Sequence, residues 1–507
     1  MKRSNGTILL ALSLASMGSP EAASSGDEPH TTYERSVVGL NVTFQTWDQD
    51  RPWVKKRPET RRASAVLIGP QLVLTTAEML NYATFLQVET FGRARQVQPR
   101  IERIDRTINL ALLSIDETAS SGLKPVAVAD RTPTSGTLRT ARWRGQQLEA
   151  AASRVIRFEV EQSSGGHAYH AFVRMRTDMA GGGWADPVFD GDALVGITVS
   201  QSEDESRAIP VEILRAFLER HTASDHPDSF TTLGATWQIN QDTAVSRFLG
   251  QAGEPQGVLI RQVPWGSTAC GVLKPRDILL ELGNEPIDAE GFYHHAWLGR
   301  LGFNHILAER LRPGDVVSAR VLRDGIEREL TLTARPYPAA LNLLPHYQHS
   351  APPYVIVGGL VIRELDVPYL RTWGKEWTKD APDSLLSRYV YQAGRQTPVR
   401  RRTVLISSVL PSAYNVGYHE LRDVVIEHIN GRPIGRIADV ADALVNAENG
   451  FHVIGLAPES PRDQIVLDAA TLEAATAEII EAYAVPSAFR PREETLPEGG
   501  GECPNEY

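Results

Sequence analysis

The chain has 507 residues, 42% of them hydrophobic and 22% charged, the proportions of an ordinary globular protein of about three domains at ~150 residues each. Its 62 acidic residues against 52 basic ones give a net charge of -10, which argues against a nucleic-acid binder. Two cysteines, Cys270 and Cys503, permit at most one disulfide, so a disulfide-stapled scaffold is excluded, and no apolar run reaches the ~18 residues of a stable membrane span.

In chain order, the first segment reads "MKRSNGTILLALSLASMGSPEAASSG". Lys2 and Arg3, a short apolar core from Ile8 to Met17 and small residues after it form a signal-peptide pattern over residues 1–24. The expectation is a secreted or periplasmic protein. No cysteine lies near this segment, so lipoprotein retention is not expected.

Residues 25–228 read as all-β. Short apolar or alternating segments such as "SVVGLNVTF", "ASAVLIGPQLVLTT", "NLALLSI" and "ALVGITV" are separated by turn signals, as in a barrel or sandwich. "PVEILRAFLERH" has apolar residues at helical spacing and closes this unit as a helix. A second unit, 229–338, begins at "TTLGATWQ" and ends in two alternating strands around Asp324-Gly325, a hairpin signal. A third, 339–488, starts near Tyr354 with "YVIVGGLVIREL". Segments 259–287 and 405–434 run in the same order of strand, strand and turn, and read as a diverged internal repeat. The acidic, glycine-rich tail, 489–507, reads as disordered.

The Lys-Pro-x-Asp-Ile-Leu and Asn-Gly-x-x-Ile patterns of the second and third units resemble PDZ domains. A β-barrel followed by two such units resembles the HtrA/Deg serine proteases, in particular the branch best known from plants. The pieces that carry this likeness are "PWVKKRP" (52–58), "LGATWQ" (233–238), "GFNHILAERLRPGD" (302–315), "VPYLRTWGKEWTKDAP" (367–382) and "NVGYHELRD" (415–423), and it runs from about Ser36 to Pro486. The resemblance implies a mainly β fold: a chymotrypsin-like double β-barrel followed by two PDZ-like α+β domains. It also implies trimers, and unfolded or C-terminal peptides of other proteins as partners.

The positions matching the family's catalytic triad depart from its pattern. "LVLTTAEML" puts Glu78 where the histidine belongs, "INLALL" puts Asn109 at the aspartate, and Gly182-Gly183-Trp184-Ala185-Asp186-Pro187 puts Trp184 at the serine. Acyl transfer needs a hydroxyl nucleophile, an imidazole to take its proton and a carboxylate to stabilise the imidazolium. Trp184 has no nucleophilic atom, Glu78 with an ordinary carboxylate pKa of ~4.3 is a weak base toward serine, and Asn109 carries no charge. Ala185 and Asp186 replace two glycines in the turn that would hold the oxyanion donors. Independently of register, no histidine occurs between His30 and His167, so the first lobe has none to supply. A displaced nucleophile at Ser164, in "QSSGGHAYH", is disfavoured: that stretch reads as a hairpin tip, and the family's downstream proline and strand follow Trp184. With up to ~250 Å² to bury, Trp184 is expected to plug the cleft between the lobes.

In PDZ-type domains an exposed strand edge binds an extended peptide, and a glycine-containing loop holds its terminal carboxylate. Leu233-Gly234 in the second unit and Gly358-Gly359-Leu360 in the third are the candidate loops. The third unit's long insertions could cap its groove. His294-His295 lacks a visible Cys/His/Asp set, so no metal is expected, and no cofactor. Cys270, in apolar "TACGVL", is expected to be buried and inert. The reading is an inactive HtrA/Deg-like homologue acting as a peptide-binding scaffold, regulator or chaperone-like factor in protein quality control. The alternative is a working serine endopeptidase.

Overall fold

The computed structural model describes residues 33–91, 94–163, 168–182, 184–222, 230–336, 350–392 and 402–491. The expected signal segment, Ser164 and the tail beyond residue 491 lie outside them.

The first lobe of the barrel is an antiparallel sheet of seven strands: β1 (Val37–Phe44), β2 (Glu59–Leu67), β3 (Leu72–Thr75), β4 (Ala83–Thr90), β5 (Arg95–Val97), β6 (Arg100–Asp105) and β7 (Leu110–Ser114). Their spatial order is β5-β4-β1-β2-β3-β7-β6. The second lobe is built from β8 (Ala127–Val128), β9 (Thr137–Arg144), β10 (Gln147–Gln162), β11 (Tyr169–Thr177), β12 (Pro187–Asp190), β13 (Ala193–Ser202) and β14 (Glu205–Pro210). It closes on itself because β12 pairs with both β9 and β13. Alternation makes this possible: β1 buries Val38, Leu40 and Val42 on one face. Both lobes feed one core, in which Tyr33 stacks on Phe189 at 4.3 Å. Helix α1 (Val211–Thr222) covers the second lobe with Ile213, Leu214 and Phe217, all fully buried, as its sequence spacing predicts.

The next sheet runs β15 (Thr236–Ile239), β16 (Val258–Gln262), β17 (Ile278–Leu282), β21 (Val316–Arg323) and β22 (Ile326–Thr333), with β18 (Glu285–Pro286) paired to β17. A hairpin, β19 (Phe292–His295) and β20 (Gly299–Gly302), precedes the short helix α2 (His305–Arg310). The β21–β22 hairpin turns on Asp324 and Gly325, both at positive φ (54° and 74°), the two-residue turn expected of Asp-Gly.

The last sheet has the order β29 (Gln464–Asp468), β28 (Phe451–Leu456), β26 (Val424–Ile429), β25 (Val404–Val409), β24 (Leu360–Glu364), β23 (Tyr354–Val357) and β30 (Phe489–Arg490), with β27 (Arg432–Pro433) paired to β26. Helix α3 (Ala469–Ala482) packs beside β23. The β16–β17–β18 and β25–β26–β27 segments share one arrangement, each ending in a tight two-residue turn at Gly283-Asn284 or Asn430-Gly431, as the repeat in the sequence suggests. Two expectations are corrected. Residues 489–490 belong to a strand and not to a tail, because β30 pairs with β23. Cys270 is half-buried and disulfide-bonded, so it is not an inert buried thiol.

Candidate functional sites

The structure brings Glu78 and Asn109 together. Glu78 lies on a 3₁₀ turn, Ala77–Leu80, that follows β3. Asn109 precedes β7, is 2% exposed, and takes the left-handed conformation (φ 63°) that asparagine tolerates better than most residues. Its side-chain Oδ1 accepts the Glu78 backbone N–H at 2.8 Å, and its carbonyl accepts Ala77 N–H at 3.2 Å. The amide thus clamps the turn instead of orienting an imidazole. Arg61, from β2, donates to the Glu78 carbonyl at 3.2 Å and to the Asn81 carbonyl. Its guanidinium is held below its usual pKa by burial, against the charge of Glu78.

Trp184 does not plug the cleft. It is 46% exposed, and the buried residues of its turn are Ala185 and Asp186. Ala185 adopts a left-handed φ of 59°. Its N–H donates to the Thr198 carbonyl, and Asp186 N–H donates to Thr198 Oγ1, both at 2.9 Å. Ser64 Oγ donates to Asp186 Oδ1 at 2.6 Å, and Arg142 Nη1 lies 3.8 Å from Asp186 Oδ2. Arg142 is buried, donates to the Gly181 and Ala180 carbonyls, and leaves no room for a Cβ at Gly182, which would come within 1.6 Å of Nη1. The turn is therefore fixed from below by a Ser64–Asp186–Arg142 node. No sequence signal marked it, because Ser64 and Asp186 stand 122 positions apart.

In the first PDZ-like unit Leu233 is fully buried and its carbonyl accepts Ala269 N–H at 3.1 Å. Gly234 has φ 74°, and a Cβ there would meet Ser267 Cβ at 2.5 Å, so glycine is required by both conformation and space. This turn leads straight into β15, which pairs with β16 on one side and is the edge of its sheet. Trp237 on β15 packs edge-on against Phe303 at 5.2 Å, and Thr231 Oγ1 donates to the Leu307 carbonyl of α2 at 2.8 Å. Edge strand, glycine turn and helix thus belong to one packed unit.

The second PDZ-like unit differs. Gly358 and Gly359 (φ 56° and 87°) form the tight turn of the β23–β24 hairpin and not an open loop. Gly358 N–H donates to Thr476 Oγ1 of α3 at 2.9 Å, and the two glycine carbonyls accept from Asn415 Nδ2 at 2.8 Å and Leu410 N–H at 2.7 Å. Leu360 is fully buried. Because β24 is flanked by β23 and β25, it offers no free edge. An open, mainly apolar cleft of about 620 Å³ remains between α3 and the end of β23, lined by Ile356, Leu444, His452, Leu472 and Ile480.

His294 is exposed, but His295 does have the partners that its sequence neighbourhood hides: His305 and Glu309, with ligand-type atoms all within 4.8 Å. His295 Nδ1 accepts the Trp297 and Leu298 amides at 3.2 and 2.9 Å, and His305 Nδ1 accepts Ala171 N–H at 3.2 Å. A neutral ring that accepts at Nδ1 carries its proton on Nε2. Both Nε2–H groups face Glu309, at 3.2 and 3.7 Å. A metal ion would need those Nε2 lone pairs, so this arrangement holds a carboxylate and not a cation. Among the described residues, no helix is long and apolar enough to cross a membrane.

Residues 344–491 match the family model of a PDZ domain. The chain is 24% identical over 466 residues to Protease Do-like 2, chloroplastic, of Arabidopsis thaliana, covering 90% of this chain and 75% of the relative. It is 23% identical over 464 residues to Putative protease Do-like 12, mitochondrial, of the same plant, covering 90% and 86%. Among solved structures it is similar to the HtrA-type protease AlgW with tripeptide (18% identity, TM-score 0.47, 61% of this chain and 96% of that one). It is also similar to the serine endoprotease from Yersinia pestis (17%, TM-score 0.40, 60% and 96%).

Proposed function

On the premise that this chain is a homologue of the HtrA/Deg proteases, which its likeness to the Do-like proteases over 90% of its length supports, we propose that it is a non-hydrolytic member of that group. Its barrel serves as a platform, and its first PDZ-like unit holds extended or C-terminal peptides of other proteins. The observation that carries this is the side-chain chemistry at the three triad positions. Trp184 supplies no hydroxyl, Glu78 supplies no imidazole, and Asn109 spends its Oδ1 on the Glu78 backbone N–H at 2.8 Å. Without a nucleophile–base pair no acyl-enzyme forms by the triad route.

Binding is assigned to the first unit because Leu233 and Gly234 lead into a strand that ends its sheet, whereas the corresponding strand of the second unit is covered on both sides. Such a protein would act as scaffold, regulator or chaperone-like factor in protein quality control. The basic and apolar N-terminal segment supports export to the periplasm or beyond. The test is digestion of casein by the purified full chain, beside Trp184→Ser. Neither should cleave above the blank, since a serine at 184 still lacks a base. Hydrolysis by the unmodified chain would overturn the proposal in favour of an active serine endopeptidase.

A further inference from the structure

The junction between the barrel and the first PDZ-like unit buries titratable groups that the peptide-binding reading does not use. His305 opens α2 and is fully buried against β11. Its Nδ1 accepts Ala171 N–H across the junction. Four neighbouring elements face it. From β11 comes His170, also fully buried, whose Nδ1 lies 2.9 Å from the Ala171 carbonyl, with Arg207 of β14 beside it. From β19 come His295, its ring centroid 6.0 Å from that of His305, and Tyr293. From α2 itself come Glu309 and Arg310, the latter paired with Glu285 of β18 at 2.8 Å.

The tautomer decides where an added proton can go. Nε2 of His305 already carries one and points at Glu309, so a second proton can enter only at Nδ1. There it would meet the Ala171 N–H, donor against donor, in a site with no exposure to solvent. We propose that this atom is an acid-operated latch: protonation of His305 at Nδ1 breaks the bond to β11 and loosens the first PDZ-like unit from the barrel.

Burial, more than its charged neighbours, holds His305 down at about 4, with Glu309 pulling the other way and His295 and Arg310 adding to the depression; His170 is held at about 3 by burial. A histidine whose pKa is depressed on folding contributes stability that is present above its free pKa of ~6.5 and is lost as pH falls toward the folded value. The latch therefore works between about pH 6.5 and 4. Contacts that do not titrate in this range remain as tethers: Trp297 Nε1 to the Thr132 carbonyl at 3.0 Å, and Arg220 to the Leu311 carbonyl at 3.1 Å. Loosening and not dissociation is the expected outcome. The proposal stands whether or not the barrel hydrolyses peptides.

Hydrogen exchange of the full chain, followed by mass spectrometry and corrected for the intrinsic pH dependence, tests it. Protection of segments 169–177 and 303–311 should fall at least tenfold between pH 7 and 4.5, while the β21–β22 hairpin keeps its protection. His305→Asn retains an acceptor for Ala171 N–H but cannot take up a proton, so its junction should stay protected across the range. Wild-type protection that ignores pH would overturn the latch, as would an equal loss in His305→Asn. Simultaneous loss in the β21–β22 hairpin would mean global unfolding and would overturn it too, and this wild-type readout decides the matter even if the variant does not fold.

Discussion

Asp186, rather than Trp184, is the residue on which the degenerate turn depends. It is 3% exposed, accepts from Ser64 and neighbours the buried Arg142 guanidinium. Asp186→Ala leaves the buried Ser64 hydroxyl without its acceptor and removes one of the two carboxylates beside Arg142, which keeps Glu149 at 3.5 Å, so a loss of about 1–3 kcal/mol is expected. Trp184→Ser removes a half-exposed indole and should cost less than about 1 kcal/mol. Urea denaturation of the two variants gives the order directly, and a larger loss for Trp184→Ser would restore the plug that the exposed indole contradicts. Asp105 on β6 offers a test in pH. Burial pushes its carboxyl up to about 6, against hydrogen bonds from Thr107 and the charge of Arg103. With a folded pKa above the unfolded one, its contribution is fully present below about 3.8 and is lost as pH rises through about 6. Asp105→Asn should therefore be more stable than the wild type at pH 7.5, by on the order of 1–3 kcal/mol, and melt higher, with the difference vanishing near pH 4. Equal melting curves at both pH values would contradict it. The histidines of the junction have the opposite sign, so the two effects separate by mutation.

At the level of elements, two similar strands differ in what covers them. β15 ends its sheet beside the Leu233-Gly234 turn, whereas β24 lies between β23 and β25. A saturating C-terminal peptide should thus slow amide exchange in Thr236–Ile239 and leave Leu360–Glu364 unchanged. Protection of β24 and not β15 would reverse the assignment of the binding unit. Much of this level is legible in the sequence. Asp324-Gly325 marks its hairpin, the spacing of Ile213, Leu214 and Phe217 marks α1, and the repeat of strand, strand and turn marks the PDZ-like pair. What is not legible depends on distant partners. "VIVGGLVI" reads equally as an open loop or as a tight hairpin, and Thr476 and Asn415, 118 and 57 positions from Gly358, decide for the hairpin. The same holds for His305, whose bonding partner lies 134 positions away, and for Trp184, since local pattern gives the identity of a side chain at a turn but not its burial.

Across the whole molecule, the barrel organises the units after it. The β1–β2 connection carrying "PWVKKRP" fastens the second PDZ-like unit: fully buried Arg363 donates to the Gln49 carbonyl at 2.7 Å, Arg490 donates to the Pro52 carbonyl at 3.0 Å, and Trp53 packs on Tyr354 at 5.7 Å. On the other flank, α2 holds the first unit through Ala171 and Arg220. A barrel with these contacts has a structural role that does not require hydrolysis. The most direct measurement is treatment of the purified full chain with a serine-directed fluorophosphonate, followed by intact mass. The expected result is an unmodified mass after prolonged incubation, because Trp184 and Glu78 stand where a nucleophile and its base would be needed. A stoichiometric adduct on a single serine would contradict the non-hydrolytic reading.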